Sequence, residues 1–353
     1  MILRDEDLET WQQVVRDFLT AVEIRVRPPG PRVDRTLWRR ACELGVAGLD
    51  VPEALGGTGA GFGALAIVQR ECGRVLAPLP VLGSVVAAQG IILAAGGAPA
   101  PADPGPLADL LPGLMSGDLI AAAVLDAPGV TVDGGRLTGR LVNVIDGMSA
   151  DLLVLPDAES RPWVVDFGAD GVHREVAESM DLVRDFATVT LEAAPARPLG
   201  DQLAPEQVAR VRRAIAAAVG CEQHGGSEAT LESAVAYTRT RVQFGRVIGS
   251  FQAIKHRCAD LAVEVDLSLS AVTHAAWAVQ EDAPQAPLAV AMAGATCPPA
   301  FLRCALENVQ LHGGIGFTWE HSAHLYVRRA ESDLALFGDA EQHREDVLQI
   351  LGI

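Results

Sequence analysis

Two short stretches carry the residue types that a bound diphosphate would need. The first is Arg241-Val-Gln-Phe244-Gly245-Arg246-Val-Ile-Gly249-Ser-Phe251-Gln252, and the second is Gln310-Leu-His312-Gly313-Gly314-Ile-Gly316-Phe317. A pyrophosphate is held by cations, by backbone N–H groups and by close approach of the chain. Arg241 offers a planar fork of donors just ahead of a tight Phe-Gly turn. Gln310 offers an amide beside a backbone free of side chains at Gly313 and Gly314. Neither stretch has the strand–Gly-x-Gly-x-x-Gly–helix form of a dinucleotide-binding fold, and no such form occurs elsewhere in the chain. Each stretch alone reads more readily as a turn between helices; together, in this order and spacing, they point to a ligand.

The elements that must position these stretches fall into three parts. Residues 1–115 are expected to be helical. Leu8, Trp11, Val15, Phe18 and Leu19 recur at helical spacing, a second helix covers Thr36–Leu44, and a third carries Ala66, Val68, Glu71, Cys72 and Val75. Residues 116–200 turn β-rich, with short runs at Ile120–Leu125, Gly129–Val132, Arg136–Ile145, Asp151–Leu155, Trp163–Asp166 and Thr188–Leu191. Asp133-Gly134-Gly135 between two runs signals a hairpin, and the region reads as an antiparallel β-domain. Residues 201–353 return to long helices: Pro205–Arg241, Phe251–Gln280, Pro284–Leu311 with a break or kink at Pro298-Pro299, and Tyr326–Leu336. Four such helices predict a bundle. Gly96–Pro106 reads as an exposed loop.

Composition narrows the function classes. Of 353 residues, 49% are hydrophobic and 21% charged, enough for a large core. The formal charge of −17, with Lys255 the only lysine, argues against nucleic acid. No uninterrupted run of about 18 apolar residues marks a membrane span, Leu79–Ala95 being broken by Pro80, Gly83, Gln89 and Gly90. The start Met1-Ile-Leu-Arg4-Asp5-Glu6 has no apolar signal core, so a cytoplasmic location is expected. The six cysteines have no zinc-type spacing and are expected as reduced, buried thiols. His321, His324 and His343 lack ligand spacing, so no metal is assigned. Phe317 and Trp319 are expected to pack the bundle, and Arg328-Arg329 to face solvent.

With helices, a β-domain and a helical bundle in this order, and with R-x-x-F-G and Q-x-x-G-G-x-G in the last part, the chain resembles the acyl-CoA dehydrogenase family. The resemblance covers nearly the whole chain, including Val51-Pro52-Glu53 and Gly56-Gly57. It implies an α+β fold of N-terminal all-α domain, middle antiparallel β-domain and C-terminal four-helix bundle. It implies FAD, contacted across a dimer interface by Arg241, Phe244, Gln252, Gln310, Gly313 and Gly314. It also implies an acyl-CoA substrate oxidised at Cα–Cβ, with an electron-transfer flavoprotein as acceptor.

The chain departs from the family at the chemistry. A carboxylate normally removes the α-proton as hydride passes to the flavin. Counting from Gln310 puts that position at Phe337, or at Gly338 if the aromatic residue is matched; the alternative site on the preceding helix falls at Ile215, with Ala216 where an arginine follows. None of these side chains accepts a proton. The residue behind the flavin ring falls on Asn143, a nearby hydroxyl position on Ile145, and Val124–Val130 lacks the family's G-S-D. The implied reading is one subunit of a two-gene α2β2 enzyme that completes the FAD site of a related, catalytic partner, the class associated with bulky sterol acyl chains. Two others stay open: a self-sufficient homotetramer with a displaced base (Asp339, Glu222, Glu228 or Glu341), and a flavin-free scaffold with the same fold.

Overall fold

The computed structural model describes residues 6–95 and 105–353. The N-terminal part opens with α1 (Glu6–Leu19), whose Val15 and Leu19 are buried and whose Trp11 indole donates to the Ala64 carbonyl at 3.1 Å. Asp34 caps α2 (Arg35–Glu43) by accepting from Leu37 N at 3.0 Å, setting the entry angle that buries Trp38. The third helix, α3 (Phe62–Arg74), is buried along most of its length. A π-helical stretch Val81–Gln89 runs into α4 (Gly90–Ala95) where the sequence suggested only an interrupted apolar segment. Pro80 stands just before the first turn, where its missing N–H costs nothing, so it starts a helix instead of breaking one. Of the predicted loop Gly96–Pro106, residues 96–104 lie outside the described residues; the last two begin α5 (Gly105–Ser116).

The middle part holds β1 (Ala121–Ala123), β2 (Thr131–Asp133), β3 (Arg136–Ile145), β4 (Leu152–Pro156), β5 (Pro162–Asp166), β6 (Val172–Val176) and β7 (Phe186–Pro198). The order is β1-β4-β5-β7-β3-β2, with β6 also paired to β7. All pairs are antiparallel except β1 and β4, which are parallel, so the purely antiparallel reading is corrected at that edge. The hairpin at Asp133-Gly134-Gly135 forms as read, with both glycines at positive φ (54° and 77°) between β2 and β3. Two strand readings fell short. β6 (VHREV) is half-exposed and polar, giving no apolar run to read. β7 continues through Pro195 because it leaves β3 there and moves to β5.

The C-terminal part is built from α6 (Pro205–Thr240), α7 (Gln252–Gln280), α8 (Ala286–His312) and α9 (Ala323–Phe337), with a further helix, α10 (Ala340–Leu351), against α8. Pro298 and Pro299 do not end α8, which runs through them without the two N–H donors and packs closely against α6 and α7. The run Ala286–Phe317 is the one among the described residues long and apolar enough by length and composition to cross a membrane, but 56% of its most apolar window is buried in this bundle. The first and last parts are locked together where α3 crosses α6. A Cβ at Gly73 would lie 2.0 Å from the Glu222 carbonyl oxygen, and one at Gly225 would lie 1.9 Å from that of Arg70. These two glycines let the backbones touch reciprocally.

Candidate functional site

Both diphosphate-type stretches stand at one end of the bundle. The Arg241 stretch leaves α6 as a small hairpin, β8 (Val242–Gln243) and β9 (Arg246–Val247), and the Gln310 stretch closes α8 with a 3-10 turn. Tyr237, near the end of α6, stacks on His312, at the end of α8, at 4.3 Å between ring centres. His312 is buried and hydrogen-bonded through Nδ1 to the Asn308 carbonyl at 2.8 Å, so it clips the two helix ends together. Arg241, Phe244, Gln252, Gln310, Gly313 and Gly314 all lie at the surface. Phe244, 92% exposed, projects from a turn at φ 52°, held edge-on to Phe251 at 6.2 Å. Gly313 has φ 66°, and a Cβ at Gly313 or Gly314 would meet nothing within 4 Å. The residues present fit a dinucleotide pyrophosphate approaching from outside: a free guanidinium, an amide and open backbone.

Phe317 and Trp319 were expected in the bundle but are 81% and 70% exposed. The 3-10 turn at Gly313–Phe317 ends the helical register and turns them outward. Arg328 lies over the Trp319 ring at 5.5 Å, whereas its neighbour Arg329 is buried, so the expectation that both arginines face solvent is corrected for Arg329.

A second feature is a cavity of about 590 Å³ where the β-domain meets α6, α8, α9 and α10. It gathers the positions that the sequence marked for chemistry: Phe337 and Gly338, Ile215 and Ala216, Asn143 and Ile145, and Val124–Asp126. The places for base and arginine therefore do converge, and they hold carbon side chains or none. Charged and titratable side chains in the wall are Asp126, paired with Arg212, and Asp346, 3.7 Å from His343. The imidazole of His343 also sits 3.1 Å through Nε2 from the Phe337 carbonyl. The sequence offered His343 only as a rejected metal ligand, because α10 folds back onto Gly338 only in three dimensions.

None of the candidate displaced bases lines the cavity, and Asp339, Glu222 and Glu228 are engaged elsewhere. Asp339 is the N-cap of α10: its Oδ1 accepts from Glu341 N at 2.9 Å and Gln342 N at 3.0 Å, and Gln342 returns the bond. Asp339→Ala is expected to cost about 1 kcal/mol of stability, read by chemical denaturation, with turnover of any assembled enzyme unchanged. Glu341 is exposed on the first turn of that helix. Glu228 is bound by Arg70 at 2.8 Å and Arg74 at 2.7 Å. Glu222 is buried in α6, accepts from Arg184 at 2.7 Å and 2.8 Å, and is bonded to Arg329. Burial alone would raise its pKa, but the two guanidiniums outweigh burial and hold it below the ordinary carboxylate range. A carboxylate so stabilised is a poor proton acceptor.

The same cluster includes Asp181, bonded to the Arg329 Nε, and Asp333, 3.6 Å from Arg184. Asp333 Oδ1 has no hydrogen-bond partner, and burial followed by repulsion from Glu222 pushes its pKa up to about 7.

A helical layer, a β-sheet and a helical bundle enclosing one cavity at their junction, with two phosphate-type loops at the bundle's end, define the acyl-CoA dehydrogenase fold. The chain belongs to the acyl-CoA dehydrogenase family: residues 5–100 match the acyl-CoA dehydrogenase N-terminal domain and residues 207–352 the C-terminal domain. It is 37% identical over 304 residues to acyl-CoA dehydrogenase IpdE2 of Mycobacterium tuberculosis, covering 86% of this chain and 82% of that one. Among solved structures it is similar to the ChsE4-ChsE5 complex from Mycobacterium tuberculosis (TM-score 0.86, 29% identity, 99% and 98% of the two chains). It is also similar to the Tcur3481-Tcur3483 steroid ACAD G363A variant (TM-score 0.85, 28% identity, 98% of each chain).

Proposed function

We propose that this chain is the non-catalytic subunit of an FAD-dependent acyl-CoA dehydrogenase, and that its exposed Arg241 and Gln310 loops complete the FAD site of a related partner chain in an α2β2 assembly. The observation that carries this reading is the contrast within one molecule. The loops fit for a pyrophosphate are intact and face outward, while the cavity that would need a proton acceptor has Phe337, Gly338 and Ile215 there instead. Bound FAD supplies the hydride acceptor. This chain contributes Arg241 and the Gln310 amide to hold the dinucleotide, with Phe244 packing beside it, and the partner contributes the base. Two structural neighbours are two-component by name, one a steroid ACAD. That supports a hetero-oligomer and an acyl group as bulky as a steroid side chain. Electrons leave to an electron-transfer flavoprotein.

The test is the flavin absorbance spectrum of this chain purified alone and co-expressed with a neighbouring acyl-CoA dehydrogenase gene. FAD only in the complex, at about one per heterodimer, is the expected result. Full FAD occupancy with acyl-CoA turnover by the chain alone would overturn the reading and make His343, the imidazole in the cavity wall, the group to substitute next.

A further inference from the structure

A second cavity, of about 420 Å³, lies between the N-terminal helices and the start of α6, and shares no lining residue with the one at the junction. The π-helical stretch and α6 stand between the two. Leu82 and Ala87 line the junction cavity, whereas Val86 and Gln89 line this one; on α6, Ile215 and Ala216 line the first, and Val211 and Ala214 the second. The turn at residues 50–55 and the start of α3 close the outer side. Most of the lining is apolar, and one polar group in it is left over. Gln89 ends the π-helical stretch, a wide turn of the kind that often marks functional sites. It is 2% exposed, and its Nε2 has no hydrogen-bond partner. The neighbouring amide of Gln207 is already committed, accepting from Ala204 N and donating to the Ala94 carbonyl, each at 2.8 Å. A leucine would fill the place of Gln89 without an orphaned donor, so the buried amide is a liability that a ligand would relieve.

The charges narrow the ligand. Asp50 and Arg210 stand in the wall as one carboxyl and one guanidinium. Burial raises the Asp50 pKa to about 6, and the Arg210 charge works against that rise, so each side chain feels the other. An anion would be repelled by Asp50 and a cation by Arg210, which leaves a neutral molecule. Its polar group must accept from Gln89, and Asp50 offers that group an acceptor in turn. We propose that this cavity is a binding site for a neutral, mainly apolar molecule bearing an amide, whose carbonyl accepts from Gln89 Nε2 and whose N–H is offered to the Asp50 carboxylate. The volume lies within the range of small-molecule sites, and the apolar body would pack against Leu55, Phe62, Leu65 and Val85. Binding there depends neither on the flavin loops nor on the missing base.

The experiment uses the full chain, purified alone and titrated calorimetrically with N-butylbenzamide. Butyl benzoate, the ester of the same shape without an N–H, and the anion 4-butylbenzoate serve as controls. Saturable binding of the amide at about one per chain is expected, with ester and anion each weaker by about tenfold. Gln89→Leu keeps the volume and removes the donor, and is expected to weaken the amide by about tenfold. The melting temperature of the free Gln89→Leu chain is expected to be unchanged or higher, because no bond inside the protein is lost. Leu55→Trp, at a half-buried position in the outer wall, fills the cavity from outside and is expected to weaken the amide by about tenfold or more. No saturable binding, or ester or anion bound as tightly as the amide, would overturn the proposal. So would unchanged affinity in either variant, which would place the probe elsewhere, and a lowered melting temperature in Gln89→Leu, which would make the amide structural.

Discussion

Replacing Arg329 with leucine is expected to cost about 3–5 kcal/mol, the largest loss from any single substitution considered for this chain. The guanidinium is 2% exposed and bonds Asp181 and Glu222 together. Removing it leaves Arg184 as the one buried cation facing Asp181, Glu222 and Asp333. Chemical denaturation with far-UV circular dichroism checks this, and a loss under about 1 kcal/mol would show that the cluster relaxes without strain. The cluster also sets a pH signature. Asp333 holds a proton in the folded chain up to about 7, against an ordinary value of 3.8. Between those values the folded state binds the extra proton, so its contribution to stability is full below the lower value and is lost as pH rises through the upper one. Glu222 and Asp181 have lowered pKa values and contribute in the opposite sense, their stabilisation being lost as pH falls through those values. Asp333→Asn is therefore expected to flatten the decline in stability between about pH 4 and 7. A profile unchanged in Asp333→Asn would assign that decline to other groups.

Replacing Arg241 with alanine in the co-expressed complex is expected to weaken FAD by about tenfold or more, since a charge-assisted hydrogen bond to a diphosphate contributes about 1.5–3 kcal/mol. Arg241→Lys is expected to recover only part, because an ammonium cannot match two oxygens as a planar fork does. The residue is exposed in the isolated chain, so the folded stability of the chain alone is expected to stay within about 0.5 kcal/mol. That pairing separates a ligand contact from a structural one: FAD lost with the chain's own melting unchanged supports the contact, and FAD retained by Arg241→Ala would remove Arg241 from the site. FAD content is read by the flavin absorbance of the desalted complex.

The long amphipathic segments were legible because their apolar residues keep one period over many turns. Arg136–Ile145 is bounded in the structure as it was read, with a turn on one side fixing its register. The stretches around Arg241 and Gln310 were legible because glycine and arginine signal turns and anions locally. What escaped depended on contacts between distant residues. Nothing near Glu222 in sequence announces Arg184 or Arg329, which arrive from the β-domain and α9. Trp319 looked like core by composition, and only the end of the helical register turns it to solvent. His343 and Gln223 enter the cavity from two helices more than a hundred residues apart.

The reciprocal glycine contact between α3 and α6 has a mechanical consequence. With each backbone seated in the other's missing side chain, the two helices cannot slide without a clash of carbonyl against Cα. The α6 side of the junction cavity is therefore a fixed wall. Ile215, Ala216, Val219 and Gln223 all belong to α6 and cannot yield to a visitor. Compliance is expected instead where α9 ends at Phe337 and α10 begins at Ala340, with Gly338 (φ 90°) and Asp339 between them. A two-residue joint between two helices, capped by a carboxylate and leaning on a single imidazole, is the place where the molecule can breathe. Spin labels or fluorophores on α10 and α6 would register that motion, while the same labels on α3 and α6 would stay at constant separation.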